Sequence, residues 1–418
     1  MPKTLARLIT FFLLYSCFSV FSQSERVKEF TKTLCSPEFH GRGYVSSGDS
    51  IAAEYIAKTF NDIGLQPYNG SYFQPFSFSV NSFPGRMALS LDSKILKPGI
   101  HFWADPSSGT GLFEGQLMNL SFDEAYHFKL DRVKLKQGTV LVWRNVGYKG
   151  DTLKRLNENL LRLTSIAPVI EVIDSKYSWS VAQESTEYPF LILQDSVYNN
   201  SMSRVKIEID SRLKTHKARN VIGFLPAKRK TLKTILLSAH YDHLGQMGSD
   251  TYYPGGNDNA SGNAMLISLA EKLKKNPLKK YNVLFVAFAG EEAGLLGSKY
   301  MVEHPLSPLN EIRFMLNLDI MGSGEEGITV VNSTLFPKEF KWLQKLNKKL
   351  KALPLIKPRG PAANSDHYYF TEAGVPAFFI YTMGPNKHYH DVFDTYDELS
   401  FQAFDDLSKL LEVFLRKF

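Results

Sequence analysis

Apolar residues follow one rhythm at the start of this chain, another in its middle and a third towards its end. Val27, Phe30 and Leu34 mark one amphipathic helix. Ile51, Ala52, Tyr55, Ile56 and Phe60 mark a second, from about Ser47 to Ile63. The loop Phe39-His40-Gly41-Arg42-Gly43 separates them, and Gly64 and Pro67 end the second. Phe76, Phe78 and Val80 then alternate with polar residues, which predicts a strand. From Lys94 to Leu213 short runs dominate, with predicted strands at Gly138–Trp143, Ala167–Ile173 and Tyr188–Leu193 and one helix near Leu153–Ile166.

After Asn220 strands and helices take turns. Strands are predicted at Thr234–Ala239, Val283–Ala289, Phe314–Leu318, Ile328–Val331 and Val375–Tyr381, and helices at Ala260–Leu273, Ala293–Val302, Lys338–Leu350 and Phe401–Phe414. Such alternation predicts an α/β fold: a doubly wound, mixed but mainly parallel sheet with helices on both faces. Residues 23–93 and 214–418 would form it, and residues 94–213 would be a smaller, mostly β inserted domain. No metal-ligating or nucleophilic cluster falls inside the insert, and the chain has no internal repeat or low-complexity tract.

An open sheet of this kind binds ligands beyond the carboxyl ends of its strands. His240 and Asp242 follow Ile235–Ala239, and Asp319 follows Phe314–Leu318. Glu291 and Glu292 follow Leu284–Phe288 across Ala289-Gly290, while Asp258 and His390 lie in PGGNDNASG and HYHDVFDTYD. Each has an ordinary reading on its own: an exposed histidine, an acidic helix start, an N-cap. Gathered at one edge, two histidines and three carboxylates can hold a pair of divalent metals, with one glutamate left to move protons. That is the equipment of a hydrolase.

At 418 residues the chain is long enough for two compact units, and 44% hydrophobic with 22% charged residues is a globular composition. The net charge of +7 would admit an acidic partner, but the Lys-rich stretches 272–280 and 345–351 lie on amphipathic helical patterns and read as solvated faces. No nucleic-acid partner is therefore expected. Lys3 and Arg7 precede an apolar run from Leu8 to Phe21, an export signal ending near Ser22 and too short for a comfortable membrane span. A second reading of this leader is lipidation at Cys17. Cleavage would leave a periplasmic or secreted chain with one cysteine, Cys35, read as a packed thiol, and no stable membrane span.

Four segments carry a family resemblance: His240-Tyr241-Asp242, the run Gly256-Asn257-Asp258-Asn259-Ala260-Ser261-Gly262, the run from Glu291 to Ser298, and Asn317-Leu318-Asp319. They resemble the co-catalytic zinc aminopeptidases, a family that includes bacterial leucyl aminopeptidases, glutamate carboxypeptidase relatives and glutaminyl cyclases. Ser365-Asp366-His367 and the run from His390 to Thr395 extend the likeness, and the middle segment resembles a protease-associated insert. The resemblance implies two Zn²⁺ ions, with Mn²⁺ or Co²⁺ as alternatives. His240 and Asp319 would bind one ion, Glu292 and His390 the other, and Asp258 would bridge them. Glu291 would be the general base, and a cis peptide would follow Asp258. Asp242 would support the His240 ring and Asp394 the His390 segment, with His388 a rival to His390.

The expected substrates are peptides with a free N-terminus. A carboxypeptidase or dipeptidase, a glutaminyl-cyclase-like acyltransferase and a non-catalytic receptor-like module are the other readings. Side-chain preference and oligomeric state are not legible in the sequence.

Overall fold

The computed structural model describes residues 23–130 and 135–418, so the expected leader and Cys17 lie outside the described residues. A nine-stranded sheet forms the larger unit. At its centre Asn282–Phe288, Thr234–His240, Ile312–Leu318 and Ala377–Met383 lie side by side and parallel. Its flanks are antiparallel: Arg212–Leu225 pairs with Asn282–Phe288, and Gly327–Val331 with Ala377–Met383.

Both faces of the central strands are buried, which explains their nearly unbroken apolar runs. Ile235, Leu237, Phe285, Ala287, Phe314 and Leu316 point into one core. The helices Gln23–Leu34, Gly48–Ile63, Ser261–Lys275, Pro337–Leu350 and Phe404–Leu415 cover it. Leu236, Leu284, Val286 and Met315 point to the other face, closed by Met301 of Leu296–Glu303 and Phe370 of His367–Glu372. Helix Leu296–Glu303 starts later than the predicted Ala293. Gly290, Gly294 and Leu295 all take positive φ there (68°, 110° and 61°), so the chain turns tightly after Glu292 before it can coil.

The middle of the chain forms a second sheet of eight strands with its own core. Its strands include Thr139–Asn145, Val169–Ile173 and Phe190–Gln194, and helix Gly150–Leu163 packs against them. The sheet also takes in Met87–Leu91. Phe73–Ser82 and Arg212–Leu225 pair along ten positions, from Phe73–Val221 to Ser82–Arg212, and so form a two-stranded stem between the sheets. Leu244, Met247 and Tyr253 from the larger unit pack into the second core. Tyr253 is fully buried packing. Among the described residues no helix is long and apolar enough to cross a membrane.

Candidate metal centre

Parallel register aligns the strand ends. His240 pairs with Phe288, Ser238 with Asn317, and Leu318 with Ile380, so the residues just beyond them emerge at one edge of the sheet. Asp258 comes from the turn before helix Ser261–Lys275, and His390 from the loop after Ala377–Met383. The Asp258–Asn259 peptide bond is cis. Gly255, at φ +57°, leads into that turn, where a Cβ would collide with the Asp258 carbonyl and the Arg42 guanidinium.

Both rings spend their N–H on a carbonyl. His240 Nδ1 donates to the Asp242 main-chain carbonyl at 3.1 Å, and His390 Nδ1 to that of Trp179 at 2.6 Å. Each Nε2 is left with a lone pair aimed at carboxylates. His240 Nε2 faces Asp258 Oδ1 at 3.2 Å and Asp319 Oδ1 at 3.3 Å. His390 Nε2 faces Asp258 Oδ2 at 3.3 Å and Glu292 Oε2 at 3.2 Å. Lone pairs set against anionic oxygens repel unless a proton or a metal ion lies between them, and this set of nitrogen and oxygen donors fits divalent metal ions. Asp319 Oδ1 and His390 Nε2 also lack any hydrogen-bond partner although buried, as metal-ligand atoms would.

Charge tells the same story. Burial opposes a positive His390, yet Glu292 and Asp258 outweigh it and push its pKa up to about 11. Burial likewise works against charging His240, and Glu291 and Asp319 overcome it to hold the ring well above the usual imidazole range. A field that draws protons this strongly also draws metal cations. Glu291 completes a tight grouping with His240 and Asp319, their ligand atoms lying within 4.8 Å of one another. Burial first, then Glu292, Asp366 and Asp319, raise Glu291 well above the usual carboxylate range against the pull of His240.

The supporting contacts depart from the sequence reading. The Asp242 carboxylate stands 3.9 Å from the His240 ring. It accepts instead from the Tyr44 hydroxyl at 2.7 Å and from the main-chain N–H groups of Glu291 and Glu292 at 3.2 and 3.3 Å. The turn after His240 brings the Asp242 carbonyl, not its side chain, to the ring. Asp394 ties the His390 segment to the opposite loop: it accepts from the N–H groups of Asn257 and Asp258 at 3.0 Å and so braces the turn that carries Asp258. His388 stands apart, nearest Glu398 and Asp391 at 3.8 and 3.9 Å.

Several further residues, given no defined contact from the sequence, complete the site. His243 donates Nδ1 to Glu292 Oε1 at 2.7 Å; its place three residues after His240 was the available signal. Ser365 donates to Asp319 Oδ2 at 3.0 Å and is itself held by Asn317, which accepts from Ser238. Arg42, fully buried, donates to the carbonyls of Pro254 and Gly255 at 2.6 and 2.7 Å. Tyr389, half exposed, stacks on the His390 ring with centroids 3.9 Å apart.

With this geometry in place, the chain's kinship can be stated. Residues 220–415 match the sequence profile of peptidase family M28. That stretch, just under half of the chain, is similar to M28 peptidases. Aminopeptidase YwaD of Bacillus subtilis is 31% identical over 194 residues, covering 44% of this chain and 41% of YwaD. A probable leucine aminopeptidase of Arthroderma otae is 24% identical over 272 residues, 62% of this chain and 71% of that protein. Beyond that stretch the fold itself is shared with solved structures. The structure of BSAP, a zinc aminopeptidase from Bacillus subtilis, superposes with a TM-score of 0.68 over 95% of each chain at 19% identity.

Proposed function

We propose that this protein is an exported di-zinc aminopeptidase that trims peptides from a free N-terminus. The observation that carries the reading is the Asp258 carboxylate, whose two oxygens face the lone pairs of His240 and His390 one each, at 3.2 and 3.3 Å. His240 and Asp319 would hold one ion and Glu292 and His390 the other, with Asp258 reaching both. Nitrogen and oxygen donors without thiolate suit Zn²⁺ and also accept Mn²⁺ or Co²⁺. Aminopeptidases among the relatives, and a zinc enzyme among the structural neighbours, support the same choice. When bound, the ions supply Lewis acidity, polarising a peptide carbonyl and bringing the pKa of water down to ~7.

The chain's own groups do the rest. Glu291 takes the proton of the attacking water and returns it to the departing amine, help worth about 10²–10⁴-fold. Asp242, by accepting from the N–H groups of Glu291 and Glu292, keeps the base beside the neighbouring ligand. Export is proposed from the leader read in residues 1–22.

A panel of free and N-acetylated aminoacyl and peptide substrates tests the reading, with and without chelator and added Zn²⁺. Chelator-sensitive cleavage confined to free N-termini is expected; cleavage of the blocked set would replace it with carboxypeptidase or dipeptidase chemistry. Glu291→Gln should keep its metal and lose turnover by about 10²–10⁴-fold. Wild-type turnover in that variant would remove Glu291 from the proton path.

A further inference from the structure

The inserted sheet reaches into the metal centre. Between its strands Val169–Ile173 and Phe190–Gln194 the chain makes an excursion that meets the larger unit at three places beside candidate ligands. Trp179 offers its main-chain carbonyl to His390 Nδ1 at 2.6 Å. Lys176 donates to the Lys387 carbonyl at 2.7 Å and pairs with Asp391 at 2.9 Å, so it grips the chain on both sides of His390. Gln183 donates to the Ala293 carbonyl at 2.8 Å, one residue beyond Glu292.

This arm is anchored through its indole, to the insert by a hydrogen bond and to Tyr253 of the larger unit by stacking. The Trp179 indole is 3% exposed, donates Nε1–H to the Ala104 carbonyl at 2.8 Å, and stacks on Tyr253 at 4.8 Å. The two rings therefore depend on different parts of the molecule. His240 is oriented by the carbonyl of Asp242, two residues along its own chain; His390 is oriented by a residue 211 positions away in the insert.

We infer that the Trp179 arm is the positioning element for the His390 half of the metal centre, an inference that rests on the metal reading above. The physics lies in which nitrogen keeps the proton. With an acceptor at Nδ1, the ring proton stays there and Nε2 keeps the lone pair a metal needs. With that acceptor displaced, the proton is better placed on Nε2, where Asp258 and Glu292 both accept it. The ring then satisfies the carboxylates itself and competes with the cation. The Trp179 carbonyl selects the metal-binding tautomer, and the buried indole fixes the carbonyl.

The test uses the full chain, stripped with chelator and titrated with Zn²⁺ in competition with a chromophoric chelator. Wild type, Trp179→Ala and Trp179→Phe are compared, and imidazole ¹⁵N spectra during the Zn²⁺ titration report whether His390 Nε2 holds metal. Wild type should bind two ions. Trp179→Ala should weaken one of them by about 10- to 100-fold and leave the other unchanged, with the metal-bound His390 Nε2 signal lost at Zn²⁺ levels that saturate wild type. Trp179→Phe, which keeps a ring against Tyr253 but loses the indole N–H, should weaken the same ion by less. Unchanged binding in both variants, or equal weakening of both ions, overturns the inference while leaving the metal centre standing. A wild type that binds no divalent ion overturns both. If Trp179→Ala does not fold, Trp179→Phe and Lys176→Ala decide the matter: weakening confined to one ion supports the arm, and wild-type affinities in both refute it.

Discussion

Replacing Arg42 with lysine asks most of this structure, because it keeps the charge and removes only the geometry. Arg42 is fully buried and spends its guanidinium on main-chain carbonyls. Nε donates to Tyr241 at 2.9 Å, Nη1 to Leu34 at 2.9 Å and Pro254 at 2.6 Å, and Nη2 to Gly255 at 2.7 Å. Two of these carbonyls lie just before Asp258, and a third belongs to the residue after His240. A planar fork can span such a spread; an ammonium offers its donors from a single atom. At least two carbonyls should then lose their partner, at about 1–3 kcal/mol each. We expect a loss of about 3–5 kcal/mol, in line with breaking a buried charged network. Urea unfolding of chelator-treated protein reads this as a lower midpoint with an unchanged slope. Turnover of the metal-loaded variant should fall by about 100-fold if the Asp258 turn shifts by ~1 Å. A variant within 1 kcal/mol of wild type with full turnover would show that the guanidinium is not what holds the turn, and the bracing argument would fail.

Three further outcomes follow from the same contacts. Asp258→Ala removes the carboxylate that faces both rings and should lose metal altogether, as elemental analysis after dialysis would show; a fully loaded variant would sink the bridging role. Stripping the metals should lower Tm in a way that Zn²⁺ restores dose-dependently, by about 2.7 kcal/mol at a hundredfold excess over Kd, whereas a Zn²⁺-independent Tm would deny the ions any part in the folded state. Cys35 is buried, and burial pushes its thiol up to about 12, so native protein at pH 8 should resist iodoacetamide and label fully in urea. Because that folded pKa is raised, its contribution is intact below the unfolded thiol value of ~8.5 and is lost as pH climbs towards about 12. Wild type should therefore lose about 1.4 kcal/mol per pH unit across that window relative to Cys35→Ala, and parallel pH profiles would contradict it.

The central sheet was legible because burial on both faces writes long apolar runs, and Thr234–His240, Asn282–Phe288 and Ile312–Leu318 lie within two residues of their expected limits. The stem was not. Arg212–Leu225 opens with Arg-Leu-Lys-Thr-His-Lys, whose first four residues are exposed, and only its pairing with Phe73–Ser82 makes it a strand. Gly111–Asn119 is similarly veiled, being half-buried along most of its length with two glycines among its nine residues. Strands that owe their existence to a partner rather than to a buried face leave little periodicity to read.

The candidate site divides along another line. Side chains that face the centre were named from sequence, because strand ends converge wherever the sheet is parallel. Their orientation was not, because much of it comes from main-chain atoms. The Asp242 and Trp179 carbonyls fix the two rings, and the N–H groups of Asn257 and Asp258 receive Asp394. Every residue owns a carbonyl, so no residue type announces this role. Trp179 shows the consequence most sharply: a segment without metal-ligating chemistry of its own reaches the centre through one main-chain oxygen. If the Trp179 arm positions His390 as inferred, substitutions along the stem and that arm should act on the His390 ring without touching a ligand.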